Sequence, residues 1–183
     1  MEIREILGGL PVDIESLDQY AEVEAAEEHG ATFAENARAK ATHYSHHTGQ
    51  LAVADDSGLE IDALGGAPGV RSARFNGTSY PERFAAINRS IDAKDGAGRS
   101  ARFVCSLAVA DDRRVVFEAS GVVEGQVARE AKGTGGFGYD PIFFYPPYGR
   151  TLAEVSPAEK ISVSHRGQAF RALRTYLETH LRL

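Results

Sequence analysis

Cysteine is almost missing from this chain of 183 residues, with Cys105 standing alone. No internal disulfide can form, and one thiol fits a reducing compartment, so a cytoplasmic location is expected. Long apolar runs are also missing. Nothing approaches the ~20 residues of a membrane span, and the acidic start does not read as a signal peptide. Basic charge is short: 20 Lys and Arg face 26 Asp and Glu, a net −6. A broad basic surface for nucleic acid is therefore not expected. A small anionic ligand would need a local cluster of cations or a metal. No internal repeat or low-complexity segment occurs. What remains is ordinary for a globular protein, 43% hydrophobic and 25% charged, and long enough for one domain or one domain with a lobe.

The chain opens on an apolar stripe, Ile3, Ile6, Leu7 and Leu10, at helical spacing before Gly8 and Gly9, so a helix end is expected there. Val12 to Leu17 reads as a weak strand. Glu22, Glu24, Glu27 and Glu28 form an acidic stretch that suits a solvated loop. Thr32 and Glu35 spell a capping box, which predicts a helix to about Thr48 with Phe33, Ala37, Ala41 and Tyr44 on its apolar side. Asn36 and Lys40 share another face of it. His43, His46 and His47 give no convergent metal trio and read as surface residues. Pro81 to Ile91 predicts a further helix. Ala101 to Ala110 and Val115 to Val123 are the clearest strands, a hairpin through Asp111–Arg114 whose two-sided apolar character suits a central sheet.

Three stretches carry chemistry. Leu51 to Gly58, LAVADDSG, is a short apolar strand that is expected to end at Asp55, Asp56 and Ser57. Adjacent carboxylates are costly in a sealed core, so this is either a polar turn or a strand end that opens on a cation. Gly133 to Tyr145, GTGGFGYDPIFFY, combines backbone that a ligand can approach closely with aromatic faces at Phe137 and Tyr139. It lacks the Gly-Lys-Ser/Thr of a Walker loop, and a glycine turn before core aromatics is the alternative. Ser156 to Gln168 holds Lys160, then His165 and Arg166 at the start of a last helix packed through Phe170, Leu173, Leu177 and Leu181. Cations at a helix start oppose its dipole unless an anion sits there. Paired carboxylates, a flat-ring pocket and an anion-binding cluster together describe a nucleotide site.

With these residues in view, the chain closely resembles the inosine/xanthosine triphosphate pyrophosphatase family, which removes non-canonical purine nucleotides. The matching runs are Glu28-His-Gly, Thr32-Phe-Ala-Glu-Asn-Ala with Lys40, and Ala54-Asp-Asp-Ser-Gly. They continue with Gly66-Ala-Pro-Gly-Val-Arg-Ser-Ala-Arg74, Gly133 to Phe144, Glu159-Lys160 and Ser164-His-Arg-Gly-Gln-Ala169, over nearly the whole chain and in the family's order.

The resemblance implies a mixed α/β fold: a long twisted central sheet with flanking helices, two lobes around a cleft, one domain over residues 1–183, and a homodimer. It implies Mg²⁺-dependent hydrolysis of ITP, dITP or XTP to the monophosphate and pyrophosphate, with free nucleotide as partner and neither nucleic acid nor membrane. Asp56 would be general base and metal ligand, helped by Asp55, with Glu28 at the metal and Glu27 its neighbour. Lys40 would join the catalytic group and, with Ser57, contact phosphates. Phe137, Gly138, Tyr139, Asp140, Lys160, His165 and Arg166 would hold the purine and its 6-oxo edge. Replacing Lys160 or Arg166 should then weaken nucleotide binding more than stability. The family also has a first strand and a Ser/Thr-x-Asn-x-x-Lys loop ahead of the helix matching Ile3 to Leu7, so an upstream start is expected. A chain without that loop would be a catalytically impaired nucleotide binder.

Overall fold

The computed structural model describes residues 2–180. Five helices, α1 (Glu2–Ile6), α2 (Phe33–Thr48), α3 (Tyr80–Asp92), α4 (Pro157–Val163) and α5 (His165–His180), accompany five strands. The strands are β1 (Ala52–Ile61), β2 (Ser100–Asp111), β3 (Arg114–Val127), β4 (Phe143–Tyr145) and β5 (Arg150–Thr151), ordered β1-β2-β3-β4-β5 in one sheet. β3 pairs antiparallel with β4, Val127 opposite Phe143, and β4 with β5, Phe144 opposite Thr151. The α/β character expected from the sequence is present. The chain divides into two compact units: Met1–Asp56, Cys105–Gly121 and Arg166–Leu183 form the first, and Ser57–Val104 and Val122–His165 the second.

In the first unit, the strand period of two sorts the apolar residues of β2 onto two faces. Cys105, Leu107 and Val109 pack with Leu7 and with Ala169, Phe170, Leu173 and Leu177 of α5. Ala108 and Ala110 turn the other way and join Ala54 of β1 and Ala37 and Ala41 of α2. Five alanines make this second layer, so little side-chain bulk holds α2 off the sheet. The stripe of Ile3, Ile6 and Leu10 packs against the α5 cluster. The expected contact of Leu181 lies outside the described residues, as does Met1. In the second unit, Leu59 and Ile61 of β1, Phe103 of β2, Val123 and Val127 of β3, and Ile87 and Ile91 of α3 share a core with Tyr139, Ile142 and Phe143.

α2 begins as its capping box predicts. Thr32 Oγ1 accepts the Glu35 amide at 3.2 Å, the Glu35 carboxylate accepts the Thr32 amide at 3.2 Å, and Gly49 ends the helix in the left-handed region at φ 67°. The hairpin of β2 and β3 turns through Asp112 at φ 53°.

Two expectations fail. Val12 to Leu17 is not a strand: Pro11 has no amide to donate, Ile14 alone of its apolar residues packs on the α5 cluster, and Ser16 caps a short 3-10 turn at Leu17–Gln19. β1 does not stop at the aspartates. It runs on to Ile61, because Leu59 and Ile61 continue the alternation into a buried core.

The alanine layer is tested by Ala41→Leu. Ala41 is fully buried, so the added bulk should cost about 1–3 kcal/mol in urea unfolding. The same change at exposed His47 should cost less than about 0.5 kcal/mol.

Candidate active site

The residues singled out by sequence fall into two groups, one in each unit. In the first, α2 lies on the alanine layer and carries Asn36 and Lys40 to β1. Asn36 Nδ2 donates to Asp56 Oδ2 at 2.9 Å, and Lys40 Nζ stands 3.2 Å from Asp56 Oδ1. The same Lys40 Nζ is 2.9 Å from Glu28 Oε1. One cation thus bridges two carboxylates contributed by a loop and a strand. Burial opposes charge on Lys40, but the Glu28 hydrogen bond and the charges of Asp56 and Glu28 outweigh it and raise its pKa. Lys40 and Asp56 side chains are each 14% exposed and Glu28 31%, so this group has access to solvent.

The acidic stretch is not a free loop. Gly30 donates its amide to Asn36 Oδ1 at 2.8 Å, Ala26 donates to Tyr44 Oη at 3.2 Å, and the His43 ring lies 2.8 Å from the Glu24 carbonyl. These contacts strap the loop onto α2 and deliver Glu28 to Lys40. Glu27 turns outward and pairs with exposed His29 at 3.1 Å. The structure therefore separates two glutamates that sequence alone left as neighbours. Asn36 is the residue that sequence reasoning missed, although its shared face with Lys40 was the available signal.

Asp55 and Asp56 do not lie side by side. As consecutive strand residues they leave opposite faces of β1. Asp56 meets α2, while Asp55 Oδ1 meets Arg166 of α5 at 2.8 Å and its Oδ2 lies 3.8 Å from Cys105 Sγ. Arg166 thus finds its anion within the protein, which accounts for a cation at a helix start. Ser57 follows on β1 and is half-buried.

In the second unit, Lys160 and Asp140 form a buried ion pair, Nζ to Oδ2 2.5 Å, with side chains 6% and 2% exposed. The same Oδ2 accepts the Phe137 amide at 2.7 Å, and Lys160 Nζ stands 4.2 Å from the Phe137 ring centroid. α4 presents Lys160 through its own capping box, Ser156 with Glu159. Gly136, at φ 69°, passes so near the pair that a β-carbon there would sit 3.1 Å from Lys160 Nζ and closer still to Asp140. Phe137 is 53% exposed, whereas Tyr139 is buried and donates its hydroxyl to the Ser72 carbonyl at 2.7 Å. Burial pushes the Tyr139 phenol up to about 12. His165 is buried, stacked on Phe103 at 4.9 Å, with Phe103 stacked on Phe143 at 4.4 Å. Tyr139 and His165 are thus packed into the core, whereas Phe137 is exposed and the Lys160–Asp140 pair puts a buried charge next to its ring.

The Ham1 family model matches residues 1–176. A dITP/XTP pyrophosphatase of Exiguobacterium sibiricum is 43% identical over 182 residues, 98% of this chain and 92% of that protein. The dITP/XTP pyrophosphatase of Erwinia tasmaniensis is 46% identical, covering 94% and 85%. Among solved structures, a HAM1 protein from Coxiella burnetii superposes with a TM-score of 0.91 at 43% identity, covering 97% of this chain and 92% of its own. Sequence and fold agree over almost the full length, and the chain belongs to the Ham1 family.

Proposed function

We infer that the protein hydrolyses abnormal purine nucleoside triphosphates, ITP, dITP and XTP, to the monophosphate and pyrophosphate. The observation that carries this is the solvent-accessible Glu28–Lys40–Asp56 cluster in a chain 43% identical, nearly end to end, to a dITP/XTP pyrophosphatase. In this reading Asp56, aimed by Asn36, takes a proton from the water that attacks the α-phosphorus, while the bond to the β-phosphate breaks. Lys40 and Ser57 contact phosphate oxygens. Asp55 holds Arg166 and helps Asp56 only through the strand they share.

A divalent cation fits the first group. Glu28 and Asp56 converge on one point now held by the Lys40 ammonium, and two hard carboxylates completed by waters and phosphates suit Mg²⁺. Bound there, Mg²⁺ would offset phosphate charge as the α–β bond breaks. Among the described residues no cluster of three or more His, Cys, Asp or Glu offers a fuller cage.

The second group would receive the base. Phe137 offers its ring for stacking and the Gly138 segment its backbone. Lys160, fixed by Asp140, would donate to a 6-oxo group and leave adenine's 6-amino group mismatched. Tyr139 and His165 would shape that pocket, while Arg166 stays with Asp55 in the first group. The same reading makes the protein a cytoplasmic homodimer acting on free nucleotides rather than nucleic acid, in keeping with its net charge of −6. Among the described residues, no helix is long and apolar enough to cross a membrane.

Asp56→Asn should preserve the fold, because Lys40 keeps Glu28, and lower ITP turnover about 10²–10⁴-fold. Pyrophosphate release assays against ITP with and without Mg²⁺ check this, and near-normal turnover by the mutant refutes the assignment.

The buried pair revises the expectation for Lys160. Leaving Asp140 buried without its cation should cost about 3–5 kcal/mol, so Lys160→Ala should lower stability as well as nucleotide binding. A double-mutant cycle with Asp140→Ala should show strong coupling in denaturant unfolding. Additive losses would mean that the pair contributes little.

A further inference from the structure

Nothing in the sequence marks Tyr80, yet it is one of the few large apolar side chains left exposed, at 40%. It lies against the segment proposed to receive the base. A β-carbon at Gly138 would begin 3.7 Å from the Tyr80 hydroxyl, and the Tyr80 ring meets the Tyr139 ring edge-on with centroids 5.6 Å apart. Gly138 itself, at φ 63°, keeps that approach open.

Two features fix the ring in place. Tyr80 opens α3, whose capping box of Ser79 and Glu82, with Pro81 in the first turn, sets the backbone rigidly. The Arg83 guanidinium then lies over the Tyr80 ring, 4.9 Å from its centroid, and donates through Nε to the Gly77 carbonyl at 3.3 Å. Phe84 closes one side at a centroid distance of 6.0 Å. Residues 137 and 138 are thus attended by two aromatic–cation couples: Lys160 at the Phe137 ring, and Arg83 on the Tyr80 ring beside Gly138. Half-exposed flat faces with cations beside them match the chemistry of a planar base on an anionic tail.

We propose that Tyr80, braced by Arg83, is a further substrate-contacting residue that gives the purine ring a second aromatic contact beside Phe137. This rests on the reading of Phe137 to Asp140 as the base site. The contribution comes from the half-exposed ring that Arg83 braces and not from hydrogen bonding by the hydroxyl, so it strengthens purine binding without discriminating between 6-oxo bases. Capping and the Arg83 brace mean that little ordering is left to occur when the base arrives.

Kinetics and fluorescence test this together. Tyr80→Ala should raise the KM for ITP about tenfold, the effect of losing one base–aromatic stack, while kcat falls far less. Tyr80→Phe should recover most of the lost affinity. The chain contains no tryptophan, so Tyr80→Trp creates a single reporter whose emission should change saturably with inosine monophosphate. That readout stands even if the alanine variant folds poorly. An unchanged KM in a folded Tyr80→Ala, or a reporter silent while inosine monophosphate still inhibits turnover, overturns the proposal. If Phe137→Ala raises KM and the Tyr80 variants do not, the Tyr80 contact falls and the base site stands. If the wild-type protein neither hydrolyses ITP nor binds inosine monophosphate, the base-site reading falls and takes this contact with it.

Discussion

Two consecutive carboxylates in one strand set the constraint on which the first unit depends. Asp55 and Asp56 would repel each other if held together, and neither could be buried without a counter-charge. The strand period resolves this by sending them to opposite faces, each to a cation on its own helix. Asp56 receives Lys40 and Asn36 from α2, and Asp55 receives Arg166 from α5. Each helix must dock on the sheet in register for its own pair to form. The ion pairs set alignment, and apolar packing supplies most of the driving force.

The two faces meet that requirement with different packing. Toward α5 the sheet offers Leu107 and Val109 to Phe170 and Leu173, large side chains that interlock. Toward α2 it offers alanines to alanines. A thin layer contributes less burial per residue but keeps the helix close. Closeness is what Asn36 needs, since its short side chain must reach Asp56 while its carbonyl oxygen takes the Gly30 amide. Lys40 then reaches two carboxylates from the next turn. The acidic loop, tied down by Asn36, Tyr44 and His43, becomes part of the scaffold, which is why Glu28 reaches Lys40 while Glu27 faces outward beside His29.

Local signals in the sequence were legible where the physics is local. The capping box at Thr32, the β2–β3 hairpin and the α5 stripe all appear with the expected chemistry. The family resemblance pointed to Glu28, Lys40 and Asp56, which the structure brings together. Distant partners were not legible. Asp140 and Lys160 are 20 positions apart and Asp55 and Arg166 are 111 apart, and no periodicity links them. Two adjacent aspartates looked like a strand end because turn chemistry and mid-strand alternation share the same letters. The burial of Leu59 and Ile61 decides between them, and burial is a tertiary property. Tyr80 escaped for the same reason: an aromatic at a helix start acquires meaning only from the loop beside it.

The Lys160–Asp140 pair poses an energetic question of its own. A buried ion pair rarely improves on an apolar pair of similar size, because desolvation consumes the Coulombic gain. Here the pair also constrains its surroundings. Gly136 must adopt a left-handed backbone and carry no side chain, and Phe137 must aim its amide at the carboxylate. Such an arrangement is poorly explained as a stability device. It is well explained as a means of holding one ammonium in a fixed position beside an exposed aromatic face. Under the proposed function, that ammonium donates to an oxygen at the purine 6-position. Because Asp140 fixes Lys160 before substrate arrives, little reorganisation is spent on the correct base. An adenine amino group would place hydrogen-bond donors against that fixed cation, and the cation could not move away without abandoning Asp140 in a buried site. Discrimination then comes from the cost of breaking the pair, so the rigidity that limits the pair's value for folding is what gives it value for selection.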